Sequence, residues 1–467
     1  MRKSRTKLTA CILAIVMVLA TVSMTSCTSY YSQLLEYYRD LAEVNNNGNN
    51  QGDSTNLPPE KEDETPDTEQ PDVQQGVIDT DIKVEMDENF SGSDVTTPEI
   101  TAGDIMRATS QGLRSTVSVY CTFEITSSSG NSFWNPNPTT QIYYSLSSGV
   151  VYKTEDDGSG FVITNYHAVY ENGSSTPNNI SDQIFIYLYG MANEKYAIPA
   201  TFVGGSANYD LAVLRIDKSE VFKKAVERGS VTAITTADSD MLLPGEAVIA
   251  IGNPSPDGAD GISATQGIVS VESEYITMTA LDDETATFDI RVVRIDAPVN
   301  SGNSGGGVYN NRGELIGIVN AKIMNSNVEN IGYAIPSNVV RAVADNIIDN
   351  CYNTDCERVM KAMMGITVIT NGLSTVYDAE SGLIVRAEQV MIYEITSGSV
   401  ATNILKEGDI IKSISCREKT ATISRQYRLI DFMLDIRVDD TINVNIVRDG
   451  LEMTVSIKLT ENCFVAY

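Results

Sequence analysis

The sequence predicts a fold dominated by β-strands, with a β-barrel or sandwich as its main unit rather than repeated βαβ units. From residue 101 onward, short runs rich in β-branched residues are separated by Gly, Asn and Pro, as in STVSVYCTF, GFVITNY, QIFIYLYG, DLAVLRI, AVIAIGN, QGIVSVES, FDIRVVRID and GELIGIVNAKI. A hydrophobic content of 42% is sufficient for packed cores. The length of 467 residues predicts two or three compact units plus extensions.

The N-terminal residues 1–26 are predicted to be a secretory signal peptide. Four basic residues precede an apolar run that begins at Leu8 and ends in small residues, which is typical of an export signal. The stretch MTSC, ending at Cys27, resembles the lipobox of bacterial lipoproteins, with methionine in place of the usual leucine. We therefore expect lipidation of Cys27 and an extracytoplasmic location at the bacterial cell membrane. The alternative, an uncleaved membrane anchor, gives the same location.

Residues 27–100 are predicted to form a disordered tether behind the lipid. Acidic residues greatly outnumber basic ones, and the segment contains the low-complexity run NNNGNNQGDSTNLPPEKEDETPDTEQPD. Such a composition buries too little apolar surface to offset the conformational entropy lost on ordering. Because like charges repel one another, we expect an extended spacer that holds the folded part away from the membrane.

The charge balance excludes nucleic-acid binding as the main function. The chain has 62 Asp and Glu against 33 Lys and Arg, a formal net charge of -29, so phosphate backbones are repelled. It contains one histidine, His167, which excludes metal sites built from several histidines. We expect neither a metal nor an organic cofactor.

Three short stretches carry the residues of a nucleophilic serine site. They are TNYHA with His167, YDLAV with Asp210 and NSGNSGG with Ser304. A serine hydroxyl becomes a good nucleophile when an imidazole takes its proton, and a carboxylate fixes the tautomer of that imidazole. We therefore predict that these three residues form a catalytic triad. The backbone N–H groups of Gly302 and Ser304 are predicted to form the oxyanion hole, because glycine allows the unusual dihedral angles that this geometry requires.

The serine stretch also fits the G-x-S-x-G elbow of α/β-hydrolases, over residues 302–306. In that class the chain order is Ser, acid, His. No histidine follows Ser304 in the sequence, so the elbow hypothesis has no general base. The order His, Asp, Ser favours the triad described above.

The cysteines are assigned no catalytic role. Of seven, Cys11 lies in the signal peptide and Cys27 in the lipobox, which leaves an odd number that cannot all pair internally. Cys351 and Cys356 are close enough in sequence for a local disulfide, although their spacing fits no zinc knuckle. The pairing is left open for all the remaining cysteines: Cys121, Cys351, Cys356, Cys416 and Cys463.

With these motifs in place, the chain resembles the HtrA (Deg-type) serine proteases, in which a trypsin-like double β-barrel precedes a PDZ domain. The resemblance lies in GSGFVITNYHAV, YDLAVLRI, AIGNPSP, ATQGIVS, IDAPVNSGNSGGGVYNNRGELIGIVNAK and IGYAIPSNVV. It implies a protease domain over residues 101–342, a connector over 343–362 and a PDZ domain over 363–467. It also implies an endopeptidase that cleaves unfolded or misfolded proteins in envelope quality control, and a homotrimer.

The resemblance extends to substrate-binding residues. Pro298 stands where Lys- and Arg-specific relatives carry aspartate, so small or medium apolar residues are expected before the cut. The segment of Val319, Asn320 and Ala321 is expected to pair with the substrate backbone. In the C-terminal part, SGSVA followed by LKEGDII resembles a PDZ domain. The loop expected there to capture C-terminal peptides consists of Met364, Gly365, Ile366 and Thr367.

Two other functions are compatible with the motifs. One is a non-catalytic chaperone or peptide-binding surface module on the same fold, and the other is an esterase that uses the same three residues. The sequence also predicts two helices in the second half of the chain, over residues 337–350 and 427–435.

Overall fold

The computed structural model describes residues 102–127, 139–191, 194–254, 261–281, 286–321, 331–354, 356–378 and 383–467. They belong to one compact unit, Ser93–Tyr467. The predicted signal peptide, Cys27 and the predicted tether lie outside the described residues. Within the ranges described, no helix is both long and apolar enough to cross a bilayer.

The first half of the described chain forms a closed antiparallel barrel of six strands, in the order β1-β2-β3-β6-β5-β4. Alternate side chains of a strand point to opposite faces, and the inward-facing ones here are apolar. Along β4, Ile184, Ile186 and Leu188 are buried, whereas Gln183 is exposed. The strands are β1 (Thr116–Ser127), β2 (Thr139–Thr154), β3 (Gly160–Thr164), β4 (Gln183–Leu188), β5 (Ile198–Ser206) and β6 (Leu211–Ile216).

A second closed antiparallel barrel follows, in the order β10-β11-β12-β9-β8-β7. Its strands β10 and β11 are buried along their whole length, since helices cover this side of the barrel. The strands are β7 (Ala247–Gly252), β8 (Ser263–Thr279), β9 (Thr287–Ile295), β10 (Gly307–Asn310), β11 (Leu315–Val319) and β12 (Gly332–Pro336).

The helices hold the two barrels together. Helix α1 (Ala102–Ser115) packs on β7 and β10, and α4 (Ser337–Cys351) packs on β5 and β6 of the first barrel and on β11 of the second. Helix α4 buries Val339, Val340, Val343 and Ile347, which share one face at helical spacing. Two short helices lie in loops of the first barrel, α2 (Tyr166–Val169) and α3 (Glu220–Glu227).

The C-terminal part has its own apolar core beneath a six-stranded sheet. The sheet order is β14-β15-β16-β18-β19, with β17 paired to β16, and β13 pairs separately with β20. The elements are β13 (Met360–Ala362), β14 (Ile366–Asp378), β15 (Leu383–Ile395), β16 (Ile410–Cys416), β17 (Lys419–Thr422), α5 (Gln426–Phe432), β18 (Thr441–Arg448), β19 (Leu451–Lys458) and β20 (Phe464–Ala466).

Buried charged groups join the C-terminal part to the second barrel. Arg291 on β9 contacts Asp431 of α5, and its Nη2 lies 2.9 Å from Asp240 Oδ1. Arg425, just before α5, places Nη1 at 2.9 Å from Glu272 Oε1 on β8. Because buried charges require partners, these pairs favour the observed contact between α5 and the barrel.

The predicted fold class is confirmed: strands dominate, and the two barrels account for the β-branched runs. All eight quoted runs contain strands. The helix predicted over 337–350 is α4, and the one predicted over 427–435 is α5, which ends earlier, at Phe432. The domain borders themselves stay a prediction. Cys351 and Cys356 form a disulfide, while Cys121, Cys416 and Cys463 are free.

Candidate active site

His167 is positioned by the end of strand β3. The strand ends at Thr164, Asn165 precedes α2, and His167 lies in the first turn of that helix. The Asn165 side chain is buried and donates from Nδ2 to the backbone oxygen of Asp210 over 2.9 Å. The backbone N–H of His167 donates to Asp210 Oδ1, also over 2.9 Å. The histidine loop and the aspartate loop are therefore held together by backbone contacts as well as by their side chains.

Asp210 is a buried carboxylate with three hydrogen-bond donors around it. Its φ of +47° places it in the left-handed region, which Asp tolerates better than most residues. Besides the His167 backbone, Oδ2 accepts from His167 Nδ1 over 2.7 Å and from Asn320 Nδ2 over 2.8 Å. Since a carboxylate accepts, Nδ1 of the histidine carries the proton. Nε2 of His167 is consequently left as a base that can receive a proton.

Ser304 lies in the loop before β10 and faces the same space as His167. Its side chain is buried, and Oγ accepts from the Ala321 backbone N–H over 3.3 Å. Among the hydrogen bonds of the described residues there is none between Ser304 Oγ and His167 Nε2. Both residues line a cavity of about 270 Å³. Its walls include His167, Ala168, Ser301, Gly302, Ser304 and Ala321.

The predicted oxyanion donors lie in the same wall. Gly302 has φ of +94°, and a Cβ at this position would collide with the Asn253 backbone oxygen, so glycine is required both by conformation and by space. Within the described part of the chain, the backbone N–H groups of Gly302 and Ser304 donate to no other group. They are free to bind an oxyanion that develops in the cavity.

Only part of the segment predicted to pair with substrate, residues 319–321, faces the cavity. The backbone N–H of Val319 donates to the Gly306 oxygen and Asn320 N–H donates to the Tyr333 oxygen, so those two donors are used within the barrel. Ala321 is the member of this segment that lines the cavity. Pro298 is exposed, and its backbone oxygen accepts from Thr265 Oγ1 over 2.8 Å.

The four residues predicted to bind peptide in the C-terminal part lie together where β14 begins. Met364 is buried in the C-terminal core, and the Gly365 oxygen accepts from the Thr396 N–H over 2.9 Å. Ile366 begins β14, which is an end strand of the sheet, and Thr367 is exposed. Strand β14 therefore has one edge that β15 does not occupy.

The supporting roles of two residues were not predicted from the sequence. Asn320 was expected to contact substrate, yet its side chain bonds Asp210. Ser148, at the end of a serine pair in β2, was not singled out at all, although its hydroxyl bonds the Gly302 oxygen over 2.7 Å. Neither has a local sequence signal, because each acts on a residue more than 100 positions away.

Several known proteins are similar to this chain in sequence. Residues 147–318 match the family model described as the trypsin-like peptidase domain. The chain is 34% identical over 320 residues to Serine protease Do-like HtrA of Bacillus subtilis (strain 168), covering 67% of this chain and 63% of that relative. It is 32% identical over 323 residues to Serine protease Do-like HtrA of Lactococcus lactis subsp. cremoris (strain MG1363), covering 68% of this chain and 70% of that relative.

Among solved structures, one titled HtrA-type protease AlgW with decapeptide aligns at a TM-score of 0.47 and 24% identity. The alignment covers 76% of this chain and 98% of that one. In the sequence comparison above, the chain spans slightly less than two thirds of the length of the B. subtilis relative.

Proposed function

This chain belongs to the HtrA-type serine protease family, and from that membership we propose that it is a membrane-tethered endopeptidase that cleaves unfolded or damaged proteins outside the cytoplasmic membrane. The observation that carries the proposal is the arrangement of Asp210, His167 and Ser304. The carboxylate is buried and fixed by three donors, the histidine is held in one tautomer, and the serine faces the same cavity.

In the proposed mechanism, Ser304 Oγ attacks the peptide carbonyl while His167 Nε2 takes its proton. The same imidazole then gives that proton to the leaving amine. Asp210 orients the ring and stabilises its charged form, and the N–H groups of Gly302 and Ser304 bind the oxyanion. Afterwards a water molecule repeats the cycle on the acyl-enzyme.

The attack requires one movement of the serine side chain. In the structure Ser304 Oγ accepts from the Ala321 N–H, and the described residues show no hydrogen bond from it to His167 Nε2, so in the proposed mechanism the hydroxyl turns to donate to that nitrogen. A bound substrate strand favours it by competing for the Ala321 N–H.

The C-terminal part is proposed to be a PDZ domain that captures C-terminal peptides. A peptide strand adds to the open edge of β14, and the loop of Met364 and Gly365 holds its carboxylate through backbone N–H groups. The position of the loop at the start of an end strand supports this proposal.

The anchor is proposed to be lipid on Cys27, with residues 28–100 as an extended spacer. Envelope location and a homotrimeric assembly belong to the same proposal. Labelling with a palmitate analogue, with Cys27→Ser as control, tests the lipid. A labelled parent and an unlabelled variant are expected; equal labelling contradicts lipidation of Cys27.

The decisive experiment incubates the full-length protein in detergent with unfolded casein, beside Ser304→Ala. We expect casein fragments from the parent and intact casein from the variant. Casein bound but uncut by both proteins would instead favour a chaperone or peptide-binding module. Hydrolysis of a p-nitrophenyl ester without any casein cleavage would favour an esterase.

A further inference from the structure

We propose that Ser148 is a positioning residue for the oxyanion hole, and that its hydroxyl holds the Gly302 carbonyl in the orientation that catalysis needs. This inference rests on the proposed endopeptidase function. We call residues 302–304 the catalytic turn. Ser148 belongs to the first barrel and the turn belongs to the second, so the contact crosses between the barrels.

The Ser148 hydroxyl is fully buried and uses both its donor and its acceptor capacity. It donates to the Gly302 oxygen over 2.7 Å and accepts from the Asn253 backbone N–H over 2.7 Å. Asn253 directly follows β7 of the second barrel. A hydroxyl with one proton and one bonded donor has a defined direction, so the side chain is fixed between two backbone groups of the second barrel.

The backbone of Ser148 is fixed to the same region. Its N–H donates to the Ser304 oxygen over 2.8 Å, and its oxygen accepts from Thr164 Oγ1 over 2.7 Å. Ser148 therefore contacts the catalytic turn at both Gly302 and Ser304. Thr164 ends the strand that leads to His167, so the residue also connects the turn to the histidine loop.

These contacts determine the direction of the oxyanion donors. The peptide between Gly302 and Asn303 is held at both ends, since its oxygen bonds Ser148 and its N–H donates to the Asn300 oxygen over 3.0 Å. Without the hydroxyl, the Gly302 oxygen loses its buried donor, and glycine permits rotation about its Cα–C bond. That rotation changes the angle between the N–H groups of residues 302 and 304, which must point at one oxygen.

The test compares Ser148→Ala with a matched control, Ser181→Ala, in the full-length protein. Ser181 is also buried in the first barrel. Its hydroxyl has the backbone oxygens of Thr122 and Gln183 as acceptors, at 2.8 and 3.1 Å, and accepts from the backbone N–H of Gln183 over 3.2 Å. The two variants lose similar hydrogen bonds, and we expect similar shifts in Tm.

The peptidase activities of Ser148→Ala and Ser181→Ala should differ. For Ser148→Ala we expect kcat on a casein-derived peptide to fall roughly 10- to 100-fold with KM unchanged, because the lost contact acts on the transition state. The affinity for a peptide boronic acid, which forms a tetrahedral adduct with serine, should fall by a similar factor. Ser181→Ala should keep the parent kcat. Equal kcat values for the two variants, or a rise in KM alone, would overturn the inference.

A second measurement does not depend on proteolysis. Hydrogen exchange of the peptide segment that covers residues 300–306 should be faster in Ser148→Ala than in the parent or in Ser181→Ala. If the parent cleaves no casein, the proposed function fails, while this measurement still decides the role of Ser148. Unchanged exchange together with unchanged boronate affinity would show that the hydroxyl positions nothing.

Discussion

At the residue scale, the carboxylate of Asp210 accepts a hydrogen bond from His167 Nδ1 and so sets the tautomer of the ring. In Asp210→Asn an amide N–H faces His167 Nδ1, so the ring takes the other tautomer and Nε2 can no longer accept from Ser304. We expect kcat to fall roughly 10⁴-fold with little change in Tm. Steady-state kinetics on a peptide substrate measures this loss.

The matched control is Asp217→Asn, a carboxylate with 73% side-chain exposure that pairs with Arg215. Its kcat should equal that of the parent, because exposed ion pairs contribute little. A loss of less than ten-fold for Asp210→Asn would contradict its role as the residue that orients His167.

Gly302 shows at the same scale how sterics limit the catalytic turn. In Gly302→Ala the new Cβ collides with the Asn253 backbone oxygen, and the alanine is also strained by a φ of +94°. Gly398→Ala has a φ of +78° but no atom within 4 Å of its Cβ. We expect the Gly398 variant to lose about 1–2 kcal/mol from dihedral strain alone. The Gly302 variant should lose more stability and nearly all activity, as urea unfolding and casein cleavage will measure. Equal losses of stability would show that the collision is relieved at no cost.

At the element scale, an ion-pair cluster fastens helix α4 to the segment after α5. Asp435 accepts from Arg341 Nη1 over 3.2 Å and Nη2 over 3.1 Å, and Lys419 Nζ lies 3.1 Å away. Burial raises the pKa of Asp435, but the hydrogen bonds and charges of Arg341 and Lys419 outweigh it, so the pKa lies below the ordinary value. The ionised carboxylate is therefore more favourable in the folded state than in the unfolded one.

Asp435→Asn should lower the free energy of unfolding by about 1.5–3 kcal/mol at pH 7. Because the folded pKa is depressed, this contribution is present above the ordinary pKa of about 3.9 and is lost as the pH falls through the folded value. The difference between parent and variant should therefore shrink at pH 3. Urea unfolding at both pH values measures it.

Asp349→Asn is the control for this cluster, since its carboxylate is 58% exposed and pairs with Arg437. We expect a change of at most about 1 kcal/mol at either pH. A pH-independent loss in Asp435→Asn would contradict the role of the ionised carboxylate.

At the scale of the whole molecule, Arg291 connects the second barrel to the C-terminal part. Its side chain is 4% exposed, contacts Asp240 and Asp431, and has its guanidinium carbon 3.6 Å from the ring centre of Tyr427. Burial raises the pKa of Asp431 to about 6, although the Arg291 charge opposes the change. The contact between the two parts of the molecule thus depends on a buried cation that neutralises buried carboxylates.

Arg291→Met removes that cation and should cost about 3–5 kcal/mol at pH 8, where Asp431 is ionised. Since the folded pKa is raised, protonation of Asp431 stabilises the fold below the ordinary pKa, and this stabilisation is lost as the pH rises through about 6. The cost of the substitution should therefore be smaller at pH 5. Thermal unfolding at the two pH values, with calorimetric enthalpies, tests this.

Arg294→Met on the same strand provides the comparison, because Arg294 is 34% exposed and lies 3.6 Å from its partner Glu274. It should change stability by less than about 1 kcal/mol at both pH values. If Arg291→Met behaves in the same way, the buried pair contributes nothing to joining the two parts.

Several elements could not be predicted from the sequence. Helix α1 was not identified, because only one face of it is apolar and it is stabilised by packing on β7 and β10. Strand β2 was also missed, since its first half has no regular alternation of apolar and polar residues and is paired with β1. In both cases tertiary contacts outweigh local preference.

What the sequence alone determined is the strand-dominated fold and the order His, Asp, Ser of the three residues that are predicted to form the triad. These depend on local patterns: period-two burial within a strand, and glycines beside a serine. What only the tertiary structure decided is which groups support them. Asn320 reaches Asp210 and Ser148 reaches Gly302 across 110 and 154 residues. Such contacts arise when two barrels pack against each other, because hydrogen bonds between distant residues depend on distances and angles that no local sequence pattern specifies.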